Sequence, residues 1–453
     1  MQTHFSLAQL ADPSTAEADK ILRACVHCGF CTATCPTFAL LGDELDSPRG
    51  RIYLVKEMLE HDRPADAETV LHIDRCLSCL SCMTTCPSNV NYMHLVDMAR
   101  ARIENTYRRP WPDRLLRLVL RKVLPVPARF GIALRAAALA RPLAAFLARL
   151  GATGARLGAM LRLAPEHAAP RSQFPSAGVI PQQGRKVARV ALLQGCAQRA
   201  LRPQINDAAI RLLTRLGVEV VLVKGETCCG ALTHHLGVEH DAVASARHNI
   251  DLWSAEADRH GLDAIVVTAS GCGTMLKDYG FLLRQEPRYA EKAARVAMLA
   301  KDVTEFMALL DLPPPQETLG RTIAYQSACS MQHGQKLDAL PKRLLANAGY
   351  RLCEIAEGHL CCGSAGTYNI LQPDLAERLR LRKIHNIEIA APDVVATGNI
   401  GCLTQLANGL QRPILHTVEL LDYAYGGPRP VALDGLDSQP FRADSGNPSH
   451  DPA

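Results

Sequence analysis

The sequence predicts an α + α/β chain: a helical, cysteine-bearing N-terminal domain, then a duplicated α/β region with parallel sheets. Three observations carry that expectation. The 17 cysteines fall into two blocks, eight between Cys25 and Cys86 and nine between Cys196 and Cys402. Within the second block Cys196, Cys228 and Cys229 recur as Cys329, Cys361 and Cys362, each 133 positions on, and Cys272 recurs as Cys402, 130 positions on. Continuous apolar runs alternate with helical patterns around those cysteines, which is the pattern of βαβ units.

The 453 residues leave room for roughly three domains of about 150 residues. A chain that is 48% hydrophobic and 21% charged has the composition of a soluble globular protein. No 18 consecutive residues are apolar, which argues against a transmembrane helix as the basic plan. The first twenty residues carry Asp12, Glu17 and Asp19 and no apolar core, so no secretory leader is expected and the chain is placed in the cytoplasm. In that reducing compartment so many thiols point to metal and not to disulfides.

The net charge of +5 conceals one basic segment. Arg114 to Arg162 holds ten Lys/Arg and no Asp or Glu, leaving 40 − 45 = −5 for the rest. That is not the broad basic footprint of a nucleic-acid binder, and no nucleic-acid partner is expected. The expected divisions are 1–104 (helical metal domain), 105–186 (basic helical segment with a Pro/Ser/Gly connector from Pro170 to Gly184), 187–318 and 319–427 (the two repeats), and 428–453 (a disordered tail).

In the first domain Cys25-x2-Cys28-x2-Cys31-x3-Cys35-Pro36 is repeated as Cys76-x2-Cys79-x2-Cys82-x3-Cys86-Pro87. Three thiolates at two-residue spacing wrap one corner of a [4Fe–4S] cluster, and the fourth, followed by Pro, reaches the neighbouring cluster. One cluster is therefore assigned to Cys25, Cys28, Cys31 and Cys86, the other to Cys76, Cys79, Cys82 and Cys35. The competing assignment is a pair of structural zinc sites, which prefer two Cys-x2-Cys pairs across a longer loop. Forty residues separate Cys35 from Cys76, so the clusters are expected between helices. Ser47-Pro48 reads as a helix start, Ile52, Val55, Met58 and Leu59 as its apolar face, and Val90 to Ile103 as a further helix. His27 reads as a neighbour that shields a cluster, since four thiolates are already available for each.

Each repeat presents a β-branched run, a cysteine, a helix (Arg202 to Leu216, Lys336 to Ala348), another apolar run and then Cys-Cys-Gly. Val190-Ala191-Leu192-Leu193 answers Thr322-Ile323-Ala324-Tyr325, Ala264-Ile265-Val266-Val267 answers Val394-Val395-Ala396-Thr397, and Val303-Thr304-Glu305-Phe306 answers Thr417-Val418-Glu419-Leu420. Adjacent cysteines on a turn can offer two thiolates to one metal centre, and Gly230 and Gly363 let the backbone bend there. Cys196, Cys228, Cys229 and Cys272 form one candidate set, and Cys329, Cys361, Cys362 and Cys402 the other. Cys353 reads as a small buried hydrophobe, and His234 and His235 as surface polar residues.

These residues resemble the CCG domains of heterodisulfide reductase-like subunits. A ferredoxin-type two-cluster domain followed by two CCG domains is similar to the glycolate oxidase iron–sulfur subunit family. The phrases Cys25-Val26-His27-Cys28-Gly29-Phe30-Cys31, Asp46-Ser47-Pro48-Arg49-Gly50-Arg51-Ile52 and Cys361-Cys362-Gly363-Ser364-Ala365-Gly366-Thr367-Tyr368 carry most of the resemblance. The family's last CCG element is often Cys-x2-Cys. Here Cys272 is followed by Gly273-Thr274-Met275 and Cys402 by Leu403-Thr404-Gln405, one thiolate fewer per repeat. A conventional cluster, one cluster shared between repeats, and an emptied structural copy all remain open for this region.

The basic segment places Arg114, Arg117 and Arg121 on one helical face, then Arg135, Arg141, Arg149, Arg156 and Arg162 along Leu/Ala-rich helices broken by Pro125, Pro127 and Pro142. Three readings fit: an interfacial helix on an anionic membrane, a docking surface for a partner with Gly151, Gly154 and Gly158 allowing close approach, or a helical insert packed on its own domain. Each arginine taken singly reads as a solvated charge.

No Gly-x-Gly-x-x-Gly follows a strand and no phosphate loop or Gly-x-Ser-x-Gly elbow occurs. A chain with redox metal and no flavin or nicotinamide site is expected to carry electrons for a flavoprotein, because removing hydride from an alcohol is the work of an organic cofactor. No catalytic residue is assigned. The resemblance implies a FAD-bearing partner subunit that oxidises glycolate, and D-lactate, to the corresponding keto acid, with electrons leaving towards a quinone or other acceptor pool at the inner face of the cell membrane. The alternatives are a heterodisulfide reductase-like catalytic subunit, or the iron–sulfur subunit of a glycerol-3-phosphate or lactate dehydrogenase.

Overall fold

A computed structural model describes residues 1–165, 169–317, 320–434 and 436. The N-terminal domain is helical, as predicted. Its main helices are Pro13–Ala24, Pro48–Glu60, Ala67–Asp74 and Tyr92–Thr106. Short polar side chains start three of them: the Asp12 carboxylate accepts from Thr15 N–H, Ser47 Oγ from Gly50 N–H and Asp66 Oδ1 from Thr69 N–H. Pro48 occupies the first helical position behind Ser47, where its missing N–H leaves no bond unmade. Leu22, Val55, Met58, Ile73, Leu95 and Ile103 meet in a closed core between the helices. Burying each such side chain contributes about 2 kcal/mol towards holding the helices together.

The duplicated region forms two sheets. The first comprises β1 (Gly178–Ile180), β2 (Ala188–Leu193), β3 (Val218–Leu222), β4 (Ala264–Val267) and β5 (Ala300–Asp302), in the order β1-β3-β2-β4-β5. The second comprises β6 (Thr322–Gln326), β7 (Arg351–Cys353), β8 (Val394–Thr397) and β9 (Ile414–His416), in the order β7-β6-β8-β9. Leaving β1 aside, the two orders are the same and every pair is parallel. The predicted duplication is thus a duplication of topology. The helices that follow β5 and β9 both open with a capping box, Asp302 with Glu305 and His416 with Glu419, which explains the matching phrases there. One apolar core joins the two repeats, with Val190, Leu213, Ile323 and Leu421 among its members. Across that junction Asp422 accepts from Arg211 (2.6 Å) and Arg215 (3.0 Å).

Several expectations are corrected. The connector is not structureless: β1 pairs antiparallel with β3 and extends the first sheet, so that repeat begins before 187. The first part of the tail predicted from 428 is ordered. Val431–Leu433 makes a helical turn whose Leu433 is fully buried in the shared core, because its apolar side chain leaves water there. Residues 437–453 lie outside the described residues. Cys353 is half-buried on the edge strand β7, not enclosed.

The basic segment folds as helices Trp111–Val123, Pro127–Ala140, Ala144–Leu147 and Gly151–Leu163. Gly154 and Gly158 serve the chain's own packing, whereas Gly151 has nothing within 4 Å of a built Cβ. A Cβ on Gly154 would stand 2.2 Å from the Leu147 carbonyl oxygen, and one on Gly158 2.7 Å from that of Ala144. Nor are all its arginines solvated. Arg117 pairs with Asp74 (3.0 Å) and Asp113, Arg156 with Asp113 (2.9 Å), and Arg121 with Asp241. These carboxylates lie outside the acid-free stretch, so the sequence could not show that they would meet it. Among the described residues one helical run, Pro127–Leu147, is long and apolar enough to cross a membrane by length and composition, with a mean hydropathy of 1.5. Interspersed arginines hid it from a count of consecutive apolar residues.

Candidate metal centres

The structure brings the first eight cysteines to two neighbouring cavities. Cys25, Cys28, Cys31 and Cys86 line one cavity of about 30 Å³, and Cys35, Cys76, Cys79 and Cys82 line a second of about 20 Å³. Cys82 lies on both walls, so the cavities adjoin. The two motifs share an unusual backbone: His27 and Gly29 have φ of 54° and 86°, and their counterparts Ser78 and Leu80 have 50° and 62°. These left-handed residues curl each motif so that its thiols face inward. The fourth cysteines, Cys35 and Cys86, sit in extended backbone just outside the short helices and point across to the other motif's cavity.

The chemistry of the site fits iron–sulfur clusters. Burial pushes the Cys31 thiol up to about 11 and Cys79 and Cys82 well above the ordinary range, so only a strongly cationic core would hold them as thiolates. Ser78 N–H (3.4 Å) and Tyr92 O–H (3.7 Å) donate to Cys76 Sγ, the kind of outer contact that tunes cluster potential. Four sulfurs around one zinc ion would stand about 3.8 Å apart. Among the described residues no three cysteine sulfurs lie within 4.8 Å of one another.

Arg51 is a contributor that the sequence reading left unassigned. Its side chain is 1% exposed; Nε donates to the His72 carbonyl (2.7 Å) and Nη2 to Thr37 (2.9 Å) and to the buried Asp46 carboxylate (3.2 Å). Burial works against its charge, but the Cys76 thiol, the Tyr92 phenol, Cys35 and Asp46 outweigh it and hold the guanidinium above its ordinary value. A fixed cation therefore stands beside the second cavity. The available signal was phase: Arg51 is spaced i, i+4, i+7 with Val55 and Met58, on the apolar face of its helix.

The repeated cysteines form two equivalent chains of sulfurs. In the first repeat Cys196 Sγ lies 3.4 Å from Cys228 Sγ, Cys228 contacts Cys229, and Cys229 contacts Cys272. In the second, Cys329, Cys361, Cys362 and Cys402 are linked in the same order. Thiol donors on both sides hold Cys228 in one set and Cys362 in the other well below the ordinary thiol range. Gly230 and Gly363, at φ of 89° and 88°, pass so close to the next helix that a Cβ would meet the carbonyl oxygens of Ala242 (2.9 Å) and Ala376 (2.4 Å). The second set borders the N-terminal domain, where Cys329 neighbours Cys79 and the Tyr368 hydroxyl donates to the Arg75 carbonyl (3.0 Å).

His234 and His235 are not surface residues of no consequence. His234 Nε2 and His235 Nδ1 each stand 3.4 Å from the Asp97 carboxylate, which Arg100 also approaches. Burial opposes the charge on Asp97, yet the two imidazoles hold its carboxyl well below the usual range. His94 joins the same interface, with Nε2 2.8 Å from Asp278 and its ring stacked on Phe281. Local sequence carried no sign of these pairings, whose partners are more than a hundred residues apart. His27, by contrast, lines the first cavity without being needed as a ligand.

Comparison with known proteins agrees with this geometry. Residues 24–90 match the family described as a 4Fe-4S dicluster domain, and residues 190–277 and 323–407 each match a cysteine-rich domain. The glycolate oxidase iron-sulfur subunit of Escherichia coli (strain K12) is 41% identical over 424 residues, covering 94% of this chain and 99% of that protein. A probable glycolate oxidase iron-sulfur subunit of Bacillus subtilis (strain 168) is 29% identical, covering 91% and 94%. Lactate utilization protein A of Bacillus licheniformis is 27% identical over 52% of this chain and 99% of its own length. With its two-cluster cysteine motifs, its doubled cysteine-rich repeat and this near full-length similarity, the chain belongs to the glycolate oxidase iron–sulfur subunit family.

Proposed function

We propose that this chain is the electron-carrying subunit of a glycolate (and D-lactate) dehydrogenase complex. It takes electrons from a flavoprotein subunit that oxidises glycolate to glyoxylate and delivers them to an acceptor pool at the membrane. The observation that carries this reading is the pair of adjoining cavities, each bounded by three cysteines of one motif and the fourth of the other. Clusters bound there would supply one-electron transfer, while FAD in the partner would remove hydride.

The chain's own residues give the path a direction. Cys28 is exposed, between exposed Val26 (65%) and Phe30 (62%), which favours this edge as the place where the flavoprotein docks. Cys35, Cys76 and Cys82 are buried, and Cys79 lines one cavity with Cys329 of the second repeat, so the path leads inward.

The far end favours peripheral contact with a membrane. The run Pro127–Leu147 leaves Ile132 (66% exposed), Leu139 (86%) and Phe146 (63%) in solvent, within a stretch that has no acidic residue. Such a face suits an anionic bilayer: basic groups are drawn to the headgroups and apolar side chains enter the interface. Ile132→Glu with Leu139→Glu should abolish sedimentation with phosphatidylglycerol/phosphatidylethanolamine vesicles and leave iron content unchanged. A lactate-oxidising partner is the second reading, favoured by the similarity to lactate utilization protein A.

Anaerobic purification with iron and sulfide counting tests the core of the proposal. The N-terminal pair alone accounts for about eight irons, at four per cluster, and a larger count enlists the repeats. Cys79→Ser should spare reduction of the partner's flavin by glycolate and abolish electron delivery. Loss of flavin reduction in that variant, or glycolate turnover by this chain alone, would defeat the proposed division of labour.

A further inference from the structure

Three of the four thiol groups of this protein open onto one space. A cavity of about 430 Å³ has Cys76 and Cys79 on one wall, the first repeat's Cys196, Cys228, Cys229 and Cys272 on another, and Cys329, Cys361 and Cys402 of the second repeat on a third. Its size is the first clue. The two cavities bounded by the N-terminal motifs measure about 30 and 20 Å³, so this space is more than ten times larger than either. It falls in the ~300–1,000 Å³ range of small-molecule pockets.

The roof is the second clue. It is built from the basic segment, whose helices turn Leu120, Val123, Phe130, Leu134, Ala137 and Met160 towards the space. Inorganic clusters do not require that apolar lining; a lipid-soluble molecule does. The helix Pro127–Ala140 is two-sided, because Phe130, Ala133, Leu134 and Ala137 face the cavity while Ile132 and Leu139 of the outer side are exposed. A single helix thus separates the cavity from the surface read above as membrane-facing.

The third clue is a proton source on the wall. His235 lines the cavity, and its Nδ1 faces Asp97, which is also paired with His234. The His235 side chain is 39% exposed, so it can be reprotonated from solvent. The cavity therefore joins the Cys76/Cys79 wall of a candidate cluster site, a proton donor and an apolar chamber beside the surface read as membrane-facing.

We infer that this cavity binds a lipid-soluble quinone, which enters beside helix Pro127–Ala140 and is reduced there to the quinol. The inference rests on the electron-carrier reading and deepens it by placing the acceptor. The balance is one quinone plus two electrons and two protons giving one quinol. The electrons originate in the alcohol oxidised by the partner subunit and arrive singly on the Cys76/Cys79 side. His235 passes one proton to each quinone oxygen in turn, regaining it from solvent between transfers, with its ring held by Asp97 at Nδ1.

The test uses the anaerobically purified chain and its complex with the flavoprotein, with ubiquinone-1 as probe. Calorimetry should show saturable binding of ubiquinone-1 to the wild-type chain and at least a tenfold loss of affinity in Ala137→Trp, which fills the chamber. In the complex, Ala137→Trp should lower ubiquinone-1 reduction at least tenfold while glycolate-driven ferricyanide reduction and iron content stay unchanged. His235→Gln leaves the volume intact and should lower kcat for the quinone with little change in KM or in binding. If Ala137→Trp loses iron, the His235→Gln split between kcat and KM decides. Wild-type binding and reduction of ubiquinone-1 by both variants would overturn the site. Cleavage of an added disulfide, blocked by Ala137→Trp, would overturn the quinone and assign the cavity to a thiol exchange. Failure to reduce even ferricyanide, with the flavin reduced, would sink the electron-carrier reading itself and not merely the site.

Discussion

Lys383 occupies in the second repeat the place that Asn249 occupies in the first. Each lies seven residues after the alanine, Ala376 or Ala242, whose carbonyl oxygen crowds the Cys-Cys-Gly glycine, and both are buried. Asn249 spans the turn, with Nδ2 donating to the Thr227 and Cys228 carbonyls. Lys383 Nζ donates to the Glu357 carbonyl (2.8 Å) and faces Cys329, Cys361 and Cys362. Burial lowers its pKa, and those thiols work against that lowering. The two sulfur chains are alike in order but differ by one positive charge.

Lys383→Asn should therefore make the second set resemble the first. Any centre held by Cys329, Cys361, Cys362 and Cys402 should fall in potential by roughly 50 mV, the effect of about one kcal/mol of lost charge interaction. Redox titration followed by EPR reads this, and an unchanged set of midpoints would mean that no redox centre lies beside Lys383.

Arg51→Met should cost about 3–5 kcal/mol, because Asp46 would stay buried after losing a charged partner. The urea midpoint of the anaerobic protein measures it. The same variant should lower the potential of the centre beside Cys35 and Cys76, since removing a nearby cation disfavours the added electron. Arg51→Lys should restore most of the potential but not the stability, having lost the fork that reaches both His72 and Thr37.

Gly363→Ala places a Cβ 2.4 Å from the Ala376 carbonyl at φ of 88°, and should destabilise by at least ~2 kcal/mol. Gly261 also has positive φ, 75°, but nothing within 4 Å of a built Cβ. The difference in urea midpoint between Gly363→Ala and Gly261→Ala isolates the steric part, and similar losses in both would refute the close approach.

Asp97 raises the pKa of His234 against the effect of burial. The stabilisation from that imidazolium is fully present below its unfolded value near 6.5 and is lost as pH rises through the raised folded value. The depressed Asp97 pKa contributes above about 3.9 and is lost only as pH falls through its folded value. Tm should thus decline from mildly acidic to alkaline pH. In Asp97→Asn the decline should flatten and stability at pH about 6 should fall by roughly 3 kcal/mol. Parallel Tm profiles for the two proteins would show that the contact contributes nothing.

What the sequence by itself determined is whatever depends on neighbours along the chain. Cysteine spacing specified which thiols could stand together, and the near-constant offset between the repeated cysteines specified two sheets of one topology. The cap at Ser47 was legible for the same reason, since its bond spans three residues. Only the tertiary structure decided which distant groups meet. Arg51 became a buried cation beside cysteine sulfurs, His234 and His235 found Asp97, and Gly154 and Gly158 closed against their own neighbouring turns. The cavity roof likewise comes from a segment remote in sequence from every cysteine it covers. A local pattern encodes what a few bonds can reach, whereas these encounters follow from how whole helices and sheets exclude water together.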